Sequence, residues 1–238
     1  MRPWNALPIL ALEEPLEPLP QELLRLEPHP YQSVGAPYGS SGSPYRLRQG
    51  VIQRLLVAQQ RLQQQQPQWR LAIFDAWRPL AVQAYMIEHA IRSECERLAV
   101  QPDQPSQARE AIEQQVQRFW APPNPDLAAP PPHSTGAAVD LTLATDAGDE
   151  LFMGSAIDAI GSVSEPDHWR AQAQLLIDPQ AREQALEWHR RRQLLRSVLE
   201  GQGFAQHPNE WWHFSYGDQL WAWRTGQTQA IYGRWSDG

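Results

Sequence analysis

A single cysteine, Cys95, is all the thiol this chain has. One cysteine excludes an intrachain disulfide framework and a thiolate-rich zinc site, so any metal must be held by histidine and carboxylate. Cys95 lies in the charged helical pattern IRSECERLAV and reads as a plain surface or half-buried residue rather than a nucleophile. Runs of Lys and Arg are missing and the formal net charge is −7, which excludes the basic face needed by a nucleic-acid or anionic-membrane partner. No stretch approaches the ~20 consecutive apolar residues of a membrane span. The N-terminal apolar patch is broken by Pro3 and Pro8, runs into Glu13 and Glu14, and offers no small-residue cleavage site. It makes a poor signal peptide, and a cytoplasmic protein is expected.

What is present suffices for one large domain: 238 residues, 42% of them hydrophobic, can bury a proper core. Residues 1–45 are rich in Pro, Gly and Ser and read as an irregular N-terminal arm packed on a domain spanning 46–238. Apolar spacing predicts an amphipathic helix over Gly50–Gln66, fraying into a Gln run and stopped by Pro67. Trp69–Trp77 alternates and is β-rich, so it reads as a strand ending near Asp75, and Pro79 opens a long helix. A helical, Pro-rich insertion at about 92–132 holds a helical pattern over Ser106–Trp120, then a stiff extended loop that delivers the chain to His133. Ala137–Thr145 is a second strand, and a long helix closes at Gly201 or Gly203. Glu210–Tyr216 reads as a third short strand. Helices interleaved with few, irregularly spaced strands predict an α+β fold with a small, mainly antiparallel sheet flanked by helices.

Three polar clusters sit at or beside strand ends: Asp75-Ala-Trp-Arg78-Pro79, His133-Ser-Thr-Gly136-Ala-Ala-Val-Asp140 and Glu210-Trp-Trp-His213. A mononuclear catalytic zinc takes three protein N and O ligands and leaves a fourth position for water. His133, Asp140 and His213 supply such a set, His133 from a loop that Gly136 lets turn sharply and Asp140 from the following strand. Residues three apart on a regular strand face opposite ways, so Glu210 and His213 meet one site only if a bulge or turn separates them, or if they reach it from different shells. The plain readings are a loop histidine at His133, core aromatics at Trp211 and Trp212, and, with equal claim, an Arg78 that merely pairs Asp75. Asp140 is harder to explain away, because an unpaired carboxylate inside an apolar strand costs several kcal/mol.

The motifs FDAWRP, HSTGAAVDLTL, MGSAID and EWWHF resemble, in that order, those of the D-alanyl-D-alanine dipeptidases of the vancomycin-resistance type. These belong to the zinc peptidase group that also holds D,D-carboxypeptidases and the hedgehog-like fold. The resemblance runs from about Tyr31 to Trp223. It implies one Zn2+ per chain on His133, Asp140 and His213, with Glu210 as the general base that passes a proton to the leaving amine. It implies Arg78 as the oxyanion partner, Asp158 as the receiver of the substrate ammonium, and Tyr31 lining the same pocket. The substrate so implied is a small peptide, D-Ala-D-Ala, in cell-wall precursor turnover.

The chain departs from the pattern where the family's Ser, two residues before the first zinc histidine, is Pro131, and where Trp77 and Phe152 replace a tyrosine and an acidic residue. Catalytic chemistry survives these changes, whereas substrate choice is put in question. Two alternatives stand beside the dipeptidase. One is a D,D-carboxypeptidase or muropeptide-trimming zinc peptidase, and the other is a non-catalytic zinc-binding domain, against which Glu210 and Arg78 argue. Neither oligomeric state nor a choice between recycling and glycopeptide resistance follows from the sequence.

Overall fold

The strongest periodicities in the sequence become the longest elements. The computed structural model describes residues 2–39 and 43–235. In chain order the elements are β1 (Leu16–Pro18), β2 (Leu24–Arg25), α1 (Pro30–Ser33), β3 (Arg46–Arg48), α2 (Gln49–Gln65), β4 (Trp69–Asp75), α3 (Leu80–Arg97), α4 (Gln107–Phe119), β5 (Ala138–Thr145), α5 (His168–Leu175), α6 (Pro179–Glu200), β6 (Ala205–Gln206), β7 (His213–Ser215) and α7 (Gln219–Thr225). Short 3-10 turns cover Pro3–Ala6, Pro132–Thr135 and Ser162–Ser164. Helix starts carry their expected caps: the Asp178 and Asp218 carboxylates accept from the amides of Ala181 and Trp221 at 2.7 and 2.8 Å.

The main sheet has the order β2-β4-β5-β7-β6, antiparallel throughout except for the parallel pair β2–β4. A separate two-stranded pair joins β1 to β3. The mixed α+β architecture with a small, mainly antiparallel sheet is the one the sequence predicts. Residues 2–39 add β2 to the sheet edge and place Trp4 and Tyr31 in buried positions. The third strand is shorter than the sequence suggested. Only His213–Ser215 pairs as strand, while Glu210–Trp212 form a bend whose Trp212 carbonyl accepts from Leu141 N at 3.1 Å. That bend removes the strand-facing objection, since Glu210 and His213 do not share a regular strand.

One face of the sheet packs on α2 and α6, with Leu55, Leu62, Leu71, Leu141, Leu195 and Leu199 wholly buried between them. Each such side chain contributes about 1.5–3 kcal/mol on burial. The insertion makes a second core, in which Val82, Met86 and Ile91 of α3 meet Ile112 and Val116 of α4. Cys95 is fully buried in this cluster, which corrects the surface reading. Its charged neighbours misled, because they face water, with Arg97 and Glu94 paired at 2.7 Å, while α4 covers the side from which Cys95 points. Among the described residues, no helix is long and apolar enough to cross a membrane.

Candidate metal centre and active-site cleft

Strand register assembles the centre. Asp75 of β4 stands opposite Asp140 of β5, and Asp140 stands opposite His213 of β7, so the three form one row across three strands. The pairing steps from Ile73↔Leu141 to Asp75↔Asp140, leaving Phe74 as a bulge. Without it Asp75 would share the face of Ile73, inside the apolar core. The extra residue turns it to the site face. Two carboxylates side by side repel, and Arg78, buried at the same place, bridges them. Its Nη2 lies 2.7 Å from Asp75 Oδ2 and 3.0 Å from Asp140 Oδ2, and its Nε donates to Asp75 at 2.8 Å. His29 Nε2 (3.2 Å) and the Tyr38 hydroxyl (2.8 Å) complete the shell of Asp75. Burial alone would raise the Asp75 carboxyl, but Arg78 and His29 hold it below the usual range.

His133 comes from the 3-10 turn Pro132–Thr135, ended by Gly136 at φ +70°. Its Nδ1 donates to the Ala76 carbonyl at 2.7 Å, which fixes the tautomer and leaves Nε2 as a lone pair. The Ser215 hydroxyl bonds the Asp218 carboxylate and so accepts from His213 Nε2 at 3.2 Å, which leaves Nδ1 as the lone pair. These two lone-pair nitrogens face each other at 3.1 Å. Asp140 sends Oδ1 to within 3.0 Å of His213 Nδ1 and Oδ2 to within 3.1 Å of His133 Nε2. Acceptors with no proton between them need a cation. Ligand atoms about 2.0–2.1 Å from a tetrahedral zinc lie about 3.3 Å apart, close to the separations here. His133, Asp140 and His213 are all buried, and His133, Asp140 and His213 are a group that could hold a metal ion.

Glu210 is buried beside this set, with Oε2 3.8 Å from His213 Nδ1. Its Oε1 has no hydrogen bond, although His207 Nδ1 is 3.3 Å away. Burial, and next the Asp140 charge, push the Glu210 carboxyl up to about 8. Asp158, half-buried and at φ +63°, accepts from the Tyr31 hydroxyl at 2.7 Å. Burial, then Asp140, raise its carboxyl to about 7. The Tyr31 hydroxyl in turn lies 3.2 Å from Arg78 Nη2. Arg78, His133, Asp140, Asp158, Glu210 and His213 line one narrow cleft, and Tyr31 backs it. All seven residues singled out in the sequence are therefore in one neighbourhood.

Other residues here gave no local signal. Gln83 holds Arg78 Nη1 at 3.0 Å through Oε1 and donates from Nε2 to the Ala121 carbonyl at 2.6 Å. The insertion contributes the Trp120 ring, 5.0 Å under the Arg78 guanidinium. His207 is buried and, through that burial and the nearby Arg2 charge, held well below its ordinary value and neutral. His207 precedes Glu210 by three residues, and that spacing is the one cue the sequence offered for it.

Donors that leave a coordination direction open, with an unbonded carboxylate and a guanidinium alongside, belong to a hydrolytic metal site rather than a structural one. Comparison with known proteins specifies the class further. The M15 peptidase model, described as D-Ala-D-Ala dipeptidase, matches residues 25–231, and the chain belongs to this family of metallopeptidases. A D-alanyl-D-alanine dipeptidase of Synechocystis sp. is 42% identical over 249 residues, covering 98% of this chain and 97% of its own. Proteins of the same name from Escherichia coli and Enterococcus faecium are 37% and 36% identical over 34% and 37% of this chain, and 36% and 37% of their own. A zinc-bound vancomycin-resistance D,D-pentapeptidase, VanY, aligns over 94% of this chain and 96% of its own at 14% identity. The TM-score is 0.39.

Proposed function

We propose that the protein hydrolyses the dipeptide D-Ala-D-Ala to D-alanine, using one zinc per chain held by His133, Asp140 and His213. The observation that carries this reading is the pair of imidazole nitrogens 3.1 Å apart, capped by Asp140, with Glu210 next to them. When bound, zinc supplies Lewis acidity toward the scissile carbonyl and the attacking water.

This chain's own groups do the rest. Glu210 Oε1, unbonded and in a carboxyl of raised proton affinity, takes a proton from the attacking water and gives it to the departing amine. Arg78 is pinned by Asp75, Asp140, Tyr31 and Gln83 through four of its five N–H groups. The remaining Nη1–H meets the oxyanion as charge develops, with no reorganisation needed. Asp158 receives the substrate ammonium, with Tyr31 orienting its carboxylate. A chain extended at its amino end would bury that carboxylate against a neutral amide, which favours a dipeptide over a longer peptide. Removal of a wall-precursor dipeptide, in recycling or in glycopeptide resistance, and a cytoplasmic location are the setting we infer for this reaction.

The test is release of free D-alanine from D-Ala-D-Ala by the purified protein, with chelator and with zinc restored. Release that stops with chelator and returns with zinc is expected. No release from a chain carrying one zinc would refute the dipeptidase reading and move the substrate to larger or differently ended peptides.

A further inference from the structure

A dipeptide has two charged ends, and the cleft holds one more charge than the reaction uses. Arg2, from the opposite end of the chain, lines the same cleft as Glu210 and His207. It is delivered there by an anchored segment. Trp4 is buried edge-on to His207, with ring centroids 5.8 Å apart, and rests on Trp223 at 5.4 Å. Gln219 Nε2 donates to the Leu7 carbonyl at 2.6 Å and to the Ala128 carbonyl at 2.9 Å, and Leu10 N donates to Ala230 O at 2.9 Å. The Arg2 guanidinium itself is loosely held. Its contacts to His207 Nε2 and to the carbonyls of Gln117 and Phe119 are all 3.4 Å, at the outer limit of a hydrogen bond. Among the described residues no carboxylate lies within ion-pair distance of it.

The buried arginines differ. Arg192 donates at 2.8 and 2.9 Å to the carbonyls of Met153 and Glu165, and Arg48 donates at 2.8 Å to that of Thr135. Arg78 has one N–H left. Arg2 keeps its Nε–H unengaged, and the Nη2–H beside it is held only by 3.4 Å carbonyl contacts that a carboxylate, taking both hydrogens side-on, would displace. At the rim, Pro131 and Pro132 have no N–H to offer such a group.

Position supports the same assignment. Arg2 and Glu210 flank the same imidazole, Arg2 Nη1 at 3.4 Å from His207 Nε2 and Glu210 Oε1 at 3.3 Å from its Nδ1, and both line the cleft. Under the dipeptidase reading, on which this step rests, Glu210 protonates the leaving amine. That nitrogen is two covalent bonds, about 2.5 Å, from the carboxylate carbon of the same residue. A cation beside Glu210 is therefore where the substrate's carboxylate end arrives, while Asp158 and Tyr31 hold the ammonium end near Arg78.

We propose that Arg2 binds the C-terminal carboxylate of the dipeptide and thereby sets the enzyme's demand for a free carboxyl end. A charge-assisted hydrogen-bonded pair of this kind is worth about 10–100-fold in affinity. The test compares kcat/KM for D-Ala-D-Ala and for its C-terminal amide in the zinc-loaded wild type, Arg2→Gln and Arg2→Lys. The acid-over-amide ratio should fall about 10–100-fold in Arg2→Gln, mainly through KM, and recover in part in Arg2→Lys. An unchanged ratio would overturn the proposal. If the wild type cleaves neither compound, the dipeptidase reading fails on its own. Calorimetric binding of the same two ligands to Glu210→Gln and to the Glu210→Gln/Arg2→Gln double variant then decides Arg2. A preference for the acid that vanishes in the double variant supports the assignment, and a preference that persists, or was never there, overturns it.

Discussion

Asp75, Asp140 and His213 sit side by side on three hydrogen-bonded strands, whereas Asp158 and Arg2 come from irregular chain on either side of them. The first group is locked by backbone ladders, and its two carboxylates a second time by Arg78. The second is held by single contacts: the Tyr31 hydroxyl on Asp158, and 3.4 Å contacts on Arg2. A metal centre tolerates little displacement of its ligands, so the rigid sheet carries it. Recognition of substrate ends can be changed without disturbing the centre, and loops and a terminal segment carry it.

Substitution at Arg78 should break this division most severely, because Arg78 belongs to both halves. Arg78→Met leaves Asp75 and Asp140 adjacent and uncompensated, at a cost of about 3–5 kcal/mol in urea unfolding. It should also lower kcat by about 10²–10³ through the lost oxyanion donor. A variant of normal stability would show that the two carboxylates do not depend on it.

Asp158 should affect recognition alone. Its carboxyl is raised to about 7, and the ionised form is the one that attracts an ammonium. As pH falls through that value the free enzyme's Asp158 protonates, so kcat/KM for the free dipeptide should fall on the acid side. Ionisation of Glu210 shapes the profile of every substrate, whereas the Asp158 limb should be missing with an N-acetylated dipeptide. In Asp158→Asn the two profiles should coincide. Profiles that already coincide in the wild type would remove Asp158 from ammonium binding.

A smaller effect is expected at Gly136, where the turn carrying His133 meets the N-terminal segment. A Cβ there would lie 2.3 Å from Leu16 Cδ2, at φ +70°. Gly136→Ala should lose about 1–3 kcal/mol in a denaturant melt, as overpacking of this size does, and loosen zinc retention. An unaffected melt would mean that β1 gives way freely.

The same division governs what could be read in the sequence. β4, β5, α2, α3 and α6 have enough residues to display a period of 2 or 3.6, and all five were legible. β2 and β6 are two residues long, too short for any pattern, and the Trp-rich run before His213 mimics a strand where the chain bends. The metal ligands, Glu210 and Arg78 lie in compact motifs, so chemistry that needs neighbours on adjacent strands left a local trace. Arg2 meets His207 across 205 positions, and His29 meets Asp75 across 46. Such pairings exist only after folding. The insertion hid Cys95 for the same reason, since α4 arrives from beyond the charged pattern that surrounds it.

The central claim is that the strand row holds the metal while Glu210 moves protons without holding it. Zinc content and turnover measured together on Glu210→Gln test this most directly. One zinc per chain with hydrolysis reduced about 10²–10⁴-fold is the predicted result. Loss of zinc in parallel with turnover would make Glu210 a ligand and contradict the account.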